Sequence, residues 1–148
     1  MRCRMAQRRQ PTVLVVEDEQ ENLAVLCDIL REIVGALPLA ASSAAQGLQL
    51  ARQHLPDLIL MDLLLPDMEG LEAVARLKQD PTTAHIPVIA VSALVTRTDR
   101  DQALAAGCVD YIGKPFDLDE LAGTIRRYLS PAGSNPRASG AGGSGGPA

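Results

Sequence analysis

The chain alternates short apolar runs with stretches of helical periodicity, and this alternation limits the folds it can adopt. The strongest runs, at 12–16, 57–61 and 87–91, are continuous and rich in branched aliphatic residues, which is typical of strands covered on both faces. Weaker runs at 37–41 and 109–112 complete a set of five strands that alternate with helical patterns. Such alternation requires parallel strands joined by right-handed crossovers. The sequence therefore predicts an α/β, doubly wound five-stranded parallel sheet, and the order 2-1-3-4-5 follows by analogy with the common arrangement.

Polar residues and glycine indicate where the predicted helices begin and end. Ser43 precedes a helix over 44–54, and Gly107 is a natural helix stop. Thr98 with Asp101 fits a capping box before the helical pattern at 102–106. Apolar spacing predicts the buried face of the first helix (Leu23, Leu26, Cys27, Leu30, Ile33, Val34) and of the last (Leu118, Leu121, Ala122, Ile125, Leu129).

The two ends of the chain differ from its body in composition. Residues 1–10 contain four arginines and no acid, and we expect a basic, disordered arm. Residues 131–148 are rich in Gly, Pro, Ser and Ala, and they lack the apolar surface that would offset the entropy of ordering, so a disordered tail is expected. All 18 acidic residues lie in 11–130, the predicted folded domain. Because so acidic a body repels DNA phosphates, we expect no direct DNA binding.

Composition also bears on location. No apolar run approaches the roughly 18 to 20 residues that a membrane span requires, and the apolar run after the basic start is too short for a secretory signal. The three cysteines, Cys3, Cys27 and Cys108, form no CxxC pair. A disulfide framework or thiolate metal site is therefore not expected, Cys27 and Cys108 are predicted core residues, and a reducing, cytoplasmic environment fits.

Reactive side chains follow the predicted strands at the same end. Glu17 and Asp18 follow the first strand, Asp62 the third, Ser92 the fourth and Lys114 the fifth. Because the carboxyl ends of parallel strands share one edge of the sheet, and neighbouring strands lie about 4.8 Å apart, we expect these side chains to converge.

Three carboxylates in one place repel one another unless a cation is supplied. Two unit charges about 4 Å apart cost roughly 4 kcal/mol at an effective dielectric constant near 20. Oxygen ligands without His or Cys suit Mg²⁺, or Mn²⁺, and a divalent ion with Lys114 and the Ser92 hydroxyl would suit a phosphoryl group held on Asp62. The alternative reading is a solvated acidic turn, in which 17–19 cap the first helix.

Four segments together resemble the receiver domains of bacterial two-component response regulators. They are VLVVEDE at 13–19, DLLLPDMEG at 62–70, VSA at 91–93 and YIGKPF at 111–116. The resemblance spans about 11–130 and implies the flavodoxin-like receiver fold. Since no effector domain accompanies this region, the chain resembles the single-domain receivers of chemotaxis and cell-cycle phosphorelays.

The resemblance implies a role for each matching acid. Asp62 is the implied phosphoacceptor, which receives its phosphoryl group from a histidine kinase or a histidine phosphotransfer protein. Asp18 is implied to bind Mg²⁺ directly and Glu17 to bind it through water, with Asp62 and the backbone carbonyl of Leu64 as further ligands.

The resemblance also implies how the phosphoryl group acts. Lys114 would pair with it, and the Lys114–Pro115 bond is often cis in this family. Ser92 would move toward it and Tyr111 would turn inward behind Ser92, which reshapes the face made by helix 4, strand 5 and helix 5. That face would also support a weak homodimer if the chain is not a monomer.

Two positions beside the implied phosphoryl site are apolar. Leu64 and Leu94 lie two residues after Asp62 and Ser92, where side chains tune phosphoryl hydrolysis in this family. Because apolar side chains cannot orient an attacking water, we expect a long-lived phosphoryl group.

Three functional hypotheses compete. The first is a phosphorylated switch that acts by binding an unidentified downstream protein and is not a classical enzyme, beyond self-catalysed phosphotransfer and autodephosphorylation. The second is a phosphorylation-independent pseudo-receiver that serves as an interaction module, which the intact acid and lysine positions disfavour. The third, an aspartyl-phosphate hydrolase, is disfavoured because the DxD loop that such enzymes carry after the first strand is replaced by Glu17-Asp18-Glu19.

Overall fold

The computed structural model describes residues 10–93 and 96–129, which contain a five-stranded parallel sheet. The strands are β1 (Thr12–Val16), β2 (Leu37–Ala41), β3 (Leu58–Asp62), β4 (Val88–Ser92) and β5 (Asp110–Gly113). Their order is β2-β1-β3-β4-β5, and every pairing is parallel. The predicted fold class and strand order are confirmed.

Helices cover both faces of the sheet. They are α1 (Gln20–Ile29), continued by a π-helical turn at Leu30–Val34, then α2 (Ala44–His54), α3 (Gly70–Gln79), α4 (Arg97–Ala106) and α5 (Leu118–Leu129). One apolar cluster lies between the sheet and the pair α1 and α5, and the other lies between the sheet and α2, α3 and α4. Residues of β3 and β4 are buried throughout, which explains why their sequences show no alternation with polar residues.

Three strands begin and end one residue later than the sequence pattern predicts. β3, β4 and β5 are displaced in this way from the predicted 57–61, 87–91 and 109–112. Asp57 lies just before β3, and its carboxylate accepts the Thr12 N–H at 2.8 Å. Because the strands are displaced, Asp62 and Ser92 are the last residues of β3 and β4 and are held by the sheet itself.

The capping box of α4 lies two residues before the predicted one. Thr96 Oγ1 accepts the Asp99 N–H at 3.1 Å, and the Asp99 carboxylate accepts the Thr96 N–H at 3.3 Å. The prediction of Thr98 with Asp101 was wrong because both pairs have the same spacing, and periodicity cannot choose between them. The predicted stop at Gly107 is confirmed, with φ of +122° at the C-cap.

Two residues assigned to buried helix faces are exposed. Ile33 is 38% exposed, because it lies in the π-helical turn, where the 3.6-residue period no longer applies. Leu118 is 46% exposed at the first position of α5. The predicted burial of Cys27 and Cys108 is confirmed.

Some predictions fall outside the described residues. They concern the basic arm at 1–10, of which only Gln10 is described, the tail at 131–148, and Leu94. Within the described part of the chain, no helix combines the length and the apolar character that crossing a bilayer requires.

Gly70 allows α3 to begin directly against the end of β3. A Cβ atom at this position would lie 2.4 Å from the Leu63 Cα and 2.6 Å from the Asp62 carbonyl oxygen. Gly123, in the middle of α5, is exposed and a Cβ there would meet nothing within 4 Å. Close packing therefore requires a glycine at position 70 but not at position 123, although both residues lie in helices.

Gly70→Ala is expected to destabilise the fold by about 1–3 kcal/mol, because the added methyl group must displace backbone atoms. Gly123→Ala, the matched control, is expected to stabilise it by roughly 0.5–1 kcal/mol through helix propensity. Urea unfolding followed by circular dichroism measures both free energies. Equal effects in the two variants would contradict the assignment of a steric role to Gly70.

Candidate functional site

Three carboxylates converge at the carboxyl edge of the sheet, as predicted. Oxygen atoms of Glu17, Asp18 and Asp62 lie within 4.8 Å of one another. Glu17 and Asp62 are buried and Asp18 is exposed. β1 and β3 are neighbours in the sheet, which places the residues at their ends side by side. Such an arrangement of oxygen ligands, closed on one side and open to solvent on the other, suits a hard divalent cation.

Lys114 supplies positive charge to this cluster. Its Nζ donates a hydrogen bond to Glu17 Oε1 at 2.7 Å and lies 3.5 Å from Asp62 Oδ2. The backbone N–H of Lys114 donates to the Ser92 carbonyl at 2.9 Å, which fixes the start of the loop after β5. The Lys114–Pro115 peptide bond is cis, as the resemblance implied.

The charged state of Lys114 is favoured by its partners. Burial lowers the pKa of Lys114, but the hydrogen bond to Glu17 and the negative charges of Asp62 and Glu17 outweigh it, so the pKa lies above its ordinary value. The ammonium group therefore remains protonated, and it offsets part of the repulsion between the two buried carboxylates.

The Asp62 carboxyl group is harder to ionise than an ordinary aspartate. Burial raises its pKa to about 6, and the charge of Glu17 adds to the rise. The backbone N–H of Leu64, which donates to Asp62 Oδ1 at 3.0 Å, and the charge of Lys114 act in the opposite direction. At neutral pH the group is thus mostly ionised, buried and incompletely neutralised, which is the condition of a carboxylate that can act as a nucleophile.

Ser92 and Tyr111 lie on the same face of the sheet. Ser92 is fully buried at the end of β4, and Tyr111 pairs with Ala90 in the register between β4 and β5. Tyr111 is 8% exposed, and its hydroxyl has no hydrogen-bond partner among the described residues. Burial raises the pKa of Tyr111, and the nearby Ser92 hydroxyl lowers it in part. Tyr111 therefore already points inward in this structure.

The loop between β3 and α3 is a compact turn beside Asp62. Leu64 forms an isolated antiparallel bridge with Glu69, and the Gly70 N–H donates to the Leu63 carbonyl at 3.0 Å. The Leu64 side chain is 53% exposed, so an apolar surface lies beside the carboxylates.

Asp67, at the tip of this loop, is a residue that the sequence analysis missed. Its two carboxylate oxygens accept the N–H groups of Ala44 and Ala45 at 2.9 and 3.0 Å, at the start of α2. These bonds lower the pKa of Asp67. No sequence signal pointed to them, because the partners lie more than 20 residues away, at the start of a helix.

The sequence profile of the response regulator receiver domain matches residues 13–126, the part of the chain that contains the acids, the lysine and the buried hydroxyl. The chain belongs to the response regulator receiver family. Receivers bind Mg²⁺ at an acidic pocket, and the group formed by Glu17, Asp18 and Asp62 is compatible with such binding.

Individual proteins of the family resemble this receiver closely. The polar-differentiation response regulator DivK of Brucella ovis is 40% identical over 121 residues, which cover 82% of this chain and 98% of that protein. A putative response regulator from Chloroflexus aurantiacus superposes with a TM-score of 0.78 at 30% identity, over 82% of this chain and 98% of the other. The receiver domain of the sensor histidine kinase PA1611 from Pseudomonas aeruginosa, with magnesium coordinated in its active site cleft, has a TM-score of 0.75 at 31% identity, over 81% and 98% of the two chains.

Asp62→Asn is expected to stabilise the metal-free receiver at pH 7–8 by about 1–3 kcal/mol. Because folding raises the pKa of Asp62 from 3.8 to about 6, the folded state holds this proton more tightly, and ionisation costs stability as the pH rises through that interval. The difference between variant and wild type should vanish below about pH 4. Denaturant unfolding in EDTA across this pH range measures it.

Asp80→Asn provides the opposite control. Hydrogen bonds from the backbone N–H and the hydroxyl of Thr82 lower the pKa of Asp80, so this carboxylate stabilises the fold once it is ionised. The substitution should destabilise the receiver at neutral pH. An Asp62→Asn variant less stable than wild type at pH 8 would contradict the assigned cost of burying Asp62.

Proposed function

We propose that this receiver accepts a phosphoryl group on Asp62 from a histidine kinase or a histidine phosphotransfer protein, and that phosphorylation switches its binding to a downstream protein. The observation that carries the proposal is the position of Asp62, which is buried beside two further acids and 3.5 Å from Lys114. The Lys114 contact argues against a purely structural acidic turn, because a solvated cap requires no partly buried ammonium group in contact with two of its acids.

The proposed transfer uses the ionised form of Asp62. A carboxylate oxygen attacks the phosphorus of a phosphohistidine, the P–N bond breaks, and its electron pair stays on the imidazole as the leaving group. The product is an acyl phosphate on Asp62. Lys114 remains close enough to balance charge on the phosphoryl oxygens, and a bound divalent cation would supply further neutralisation of those oxygens.

The same acids would hold the metal. Asp18 is the exposed member of the group and is proposed as a direct ligand, with Asp62 and the Leu64 carbonyl, whereas Glu17 would act through a water molecule. Glu17 is suited to the indirect role because its Oε1 already accepts from Lys114 and its Oε2 from the Glu19 N–H at 3.2 Å. Mg²⁺ is the expected ion, and Mn²⁺ is the expected substitute.

The proposed switch runs from Ser92 to the surface formed by α4, β5 and α5. Ser92 would move to hydrogen-bond the phosphoryl group, and Tyr111, which is already buried on the same face of the sheet, would shift further into the space behind it. Exposed apolar side chains on this surface, Leu104 and Val109, are available to a downstream protein or to a second copy in a weak homodimer.

We propose a signalling role and not a metabolic one. The domain over 11–130 would act in the cytoplasm, as a phosphoacceptor that turns over only its own phosphoryl group, and 1–10 and 131–148 would flank it. The 40% identity to DivK, a polar-differentiation response regulator of which 98% is covered, supports a response-regulator role. Neither DNA nor a membrane is proposed as a direct partner.

Incubation with acetyl phosphate and Mg²⁺ is expected to add one phosphoryl group to the wild-type chain, seen by intact mass. Asp62→Ala should show no adduct, and Asp119→Ala, which removes an exposed acid from α5, should react as the wild type does. EDTA should suppress the reaction. A wild-type chain that stays unmodified with acetyl phosphate, phosphoramidate and a phosphorylated histidine donor, and that binds its partners as Asp62→Ala does, would favour the pseudo-receiver instead.

Leu64→Asn is expected to speed autodephosphorylation several-fold, because the amide can orient a water molecule that the exposed leucine cannot. Loss of the phosphoryl group from purified phosphoprotein, followed by intact mass over time, gives the two rates. Leu64→Met is the matched control, since it keeps an apolar side chain of similar size. An unchanged or slower rate in Leu64→Asn would contradict the prediction of a long-lived phosphoryl group.

A further inference from the structure

The segment from Ala41 to Ala45 contacts both of the loops that carry the acidic cluster. At its start, the Ala41 carbonyl accepts the Glu17 N–H at 3.0 Å, which fixes the acidic turn after β1. At its end, the N–H groups of Ala44 and Ala45 donate to the Asp67 carboxylate. The turn after β1 and the loop between β3 and α3 are thereby held to the same short segment of backbone.

Asp67 acts on a loop that other hydrogen bonds hold near its ends, while Leu65 and Met68 pack against the apolar core. Asp62 and Leu64 are joined by the hydrogen bond from the Leu64 N–H, and Leu64 is paired with Glu69. Asp67 ties the tip of the loop to α2 with two hydrogen bonds from a helix N-terminus, where a negative charge is favoured. Without them, the tip would lose its polar link to the 41–45 segment, which also holds the turn of Glu17, and would keep only the less directional packing of Leu65 and Met68.

We infer that Asp67 is a positioning residue for the metal site, which sets the Leu64 carbonyl and Asp62 at their distance from Glu17 and Asp18. This inference rests on the proposed function, because it assigns the Leu64 carbonyl as a ligand. Outer-shell groups that orient metal ligands commonly change metal affinity by about 10- to 100-fold when removed. Since Asp67 acts through backbone atoms three or more residues away, the lower end of this range is expected.

The experiment measures Mg²⁺ binding by calorimetry and Mg²⁺-dependent phosphorylation by acetyl phosphate, on the full chain. Asp67→Ala should weaken Mg²⁺ binding about tenfold. The phosphorylation rate of this variant should approach that of the wild type at saturating Mg²⁺, so that the half-saturating concentration changes and the limiting rate does not. Asp67→Asn keeps one acceptor oxygen and should show a smaller loss.

Two controls separate positioning from general stability. Ser43→Ala removes the other cap of α2, in which Ser43 Oγ accepts the Gln46 N–H at 3.1 Å, and leaves the loop attached. Asp80→Ala removes a carboxylate that accepts the Thr82 N–H at 2.9 Å, away from the site. Both should bind Mg²⁺ within twofold of the wild type.

The outcomes test the positioning role of Asp67 separately from the proposed function of the receiver. Asp67→Ala with wild-type Mg²⁺ affinity would overturn the positioning role alone, and so would an equal loss in Ser43→Ala. A wild-type chain that binds no Mg²⁺ would refute the proposed function and this inference with it. Asp18→Asn removes a proposed direct ligand and is the positive control, because it gives the loss of Mg²⁺ affinity expected when a ligand itself is removed.

Discussion

Negative charge accumulates at one edge of this molecule because parallel strands must all end there. β1 and β3 are neighbours, so the acids at their ends are brought within 4.8 Å of one another. Lys114 follows β5, the outermost strand on one side of the sheet, and its side chain contacts two of these acids at the same carboxyl edge. Its bond to Glu17 is the shorter one, which leaves Asp62 buried and only partly neutralised. The chemistry of the site follows from this unequal sharing of one cation.

Much of the fold could be predicted from the sequence because it depends on burial. Strands that are apolar on both faces leave a continuous pattern, and β1, which is almost wholly buried, was placed correctly to the residue. β2 was also placed correctly, although most of its residues are exposed or half-buried. Errors arose where local chemistry decided the boundary. Two T-x-x-D pairs competed for the start of α4, and a π-helical turn exposed Ile33. Single-sequence periodicity carries no information on either choice, since both depend on backbone geometry that the tertiary structure selects.

The candidate site also combines features that the sequence predicts with features that it does not. The convergence of Glu17, Asp18 and Asp62 was predictable because topology alone brings strand ends together. The contacts of Asp67 with α2 were not, because they join a loop to the start of a distant helix, and this approach depends on how α2 and α3 pack. The close contact of Gly70 with Leu63 was equally hidden, since a glycine at a helix start looks the same whether it faces solvent or backbone. Side chains that hold loops in place are therefore harder to find than those that react.

The distribution of aromatic residues has a practical consequence. The chain has no tryptophan and two tyrosines, and both tyrosines belong to the last strand–helix unit. Tyr111 lies in β5, and Tyr128 of α5 donates its hydroxyl hydrogen to the Val109 carbonyl at 3.2 Å, immediately before that strand. Intrinsic ultraviolet emission from this protein consequently originates at a single border of the sheet. A fluorimeter can thus follow rearrangement of that border in the unlabelled, unmutated chain.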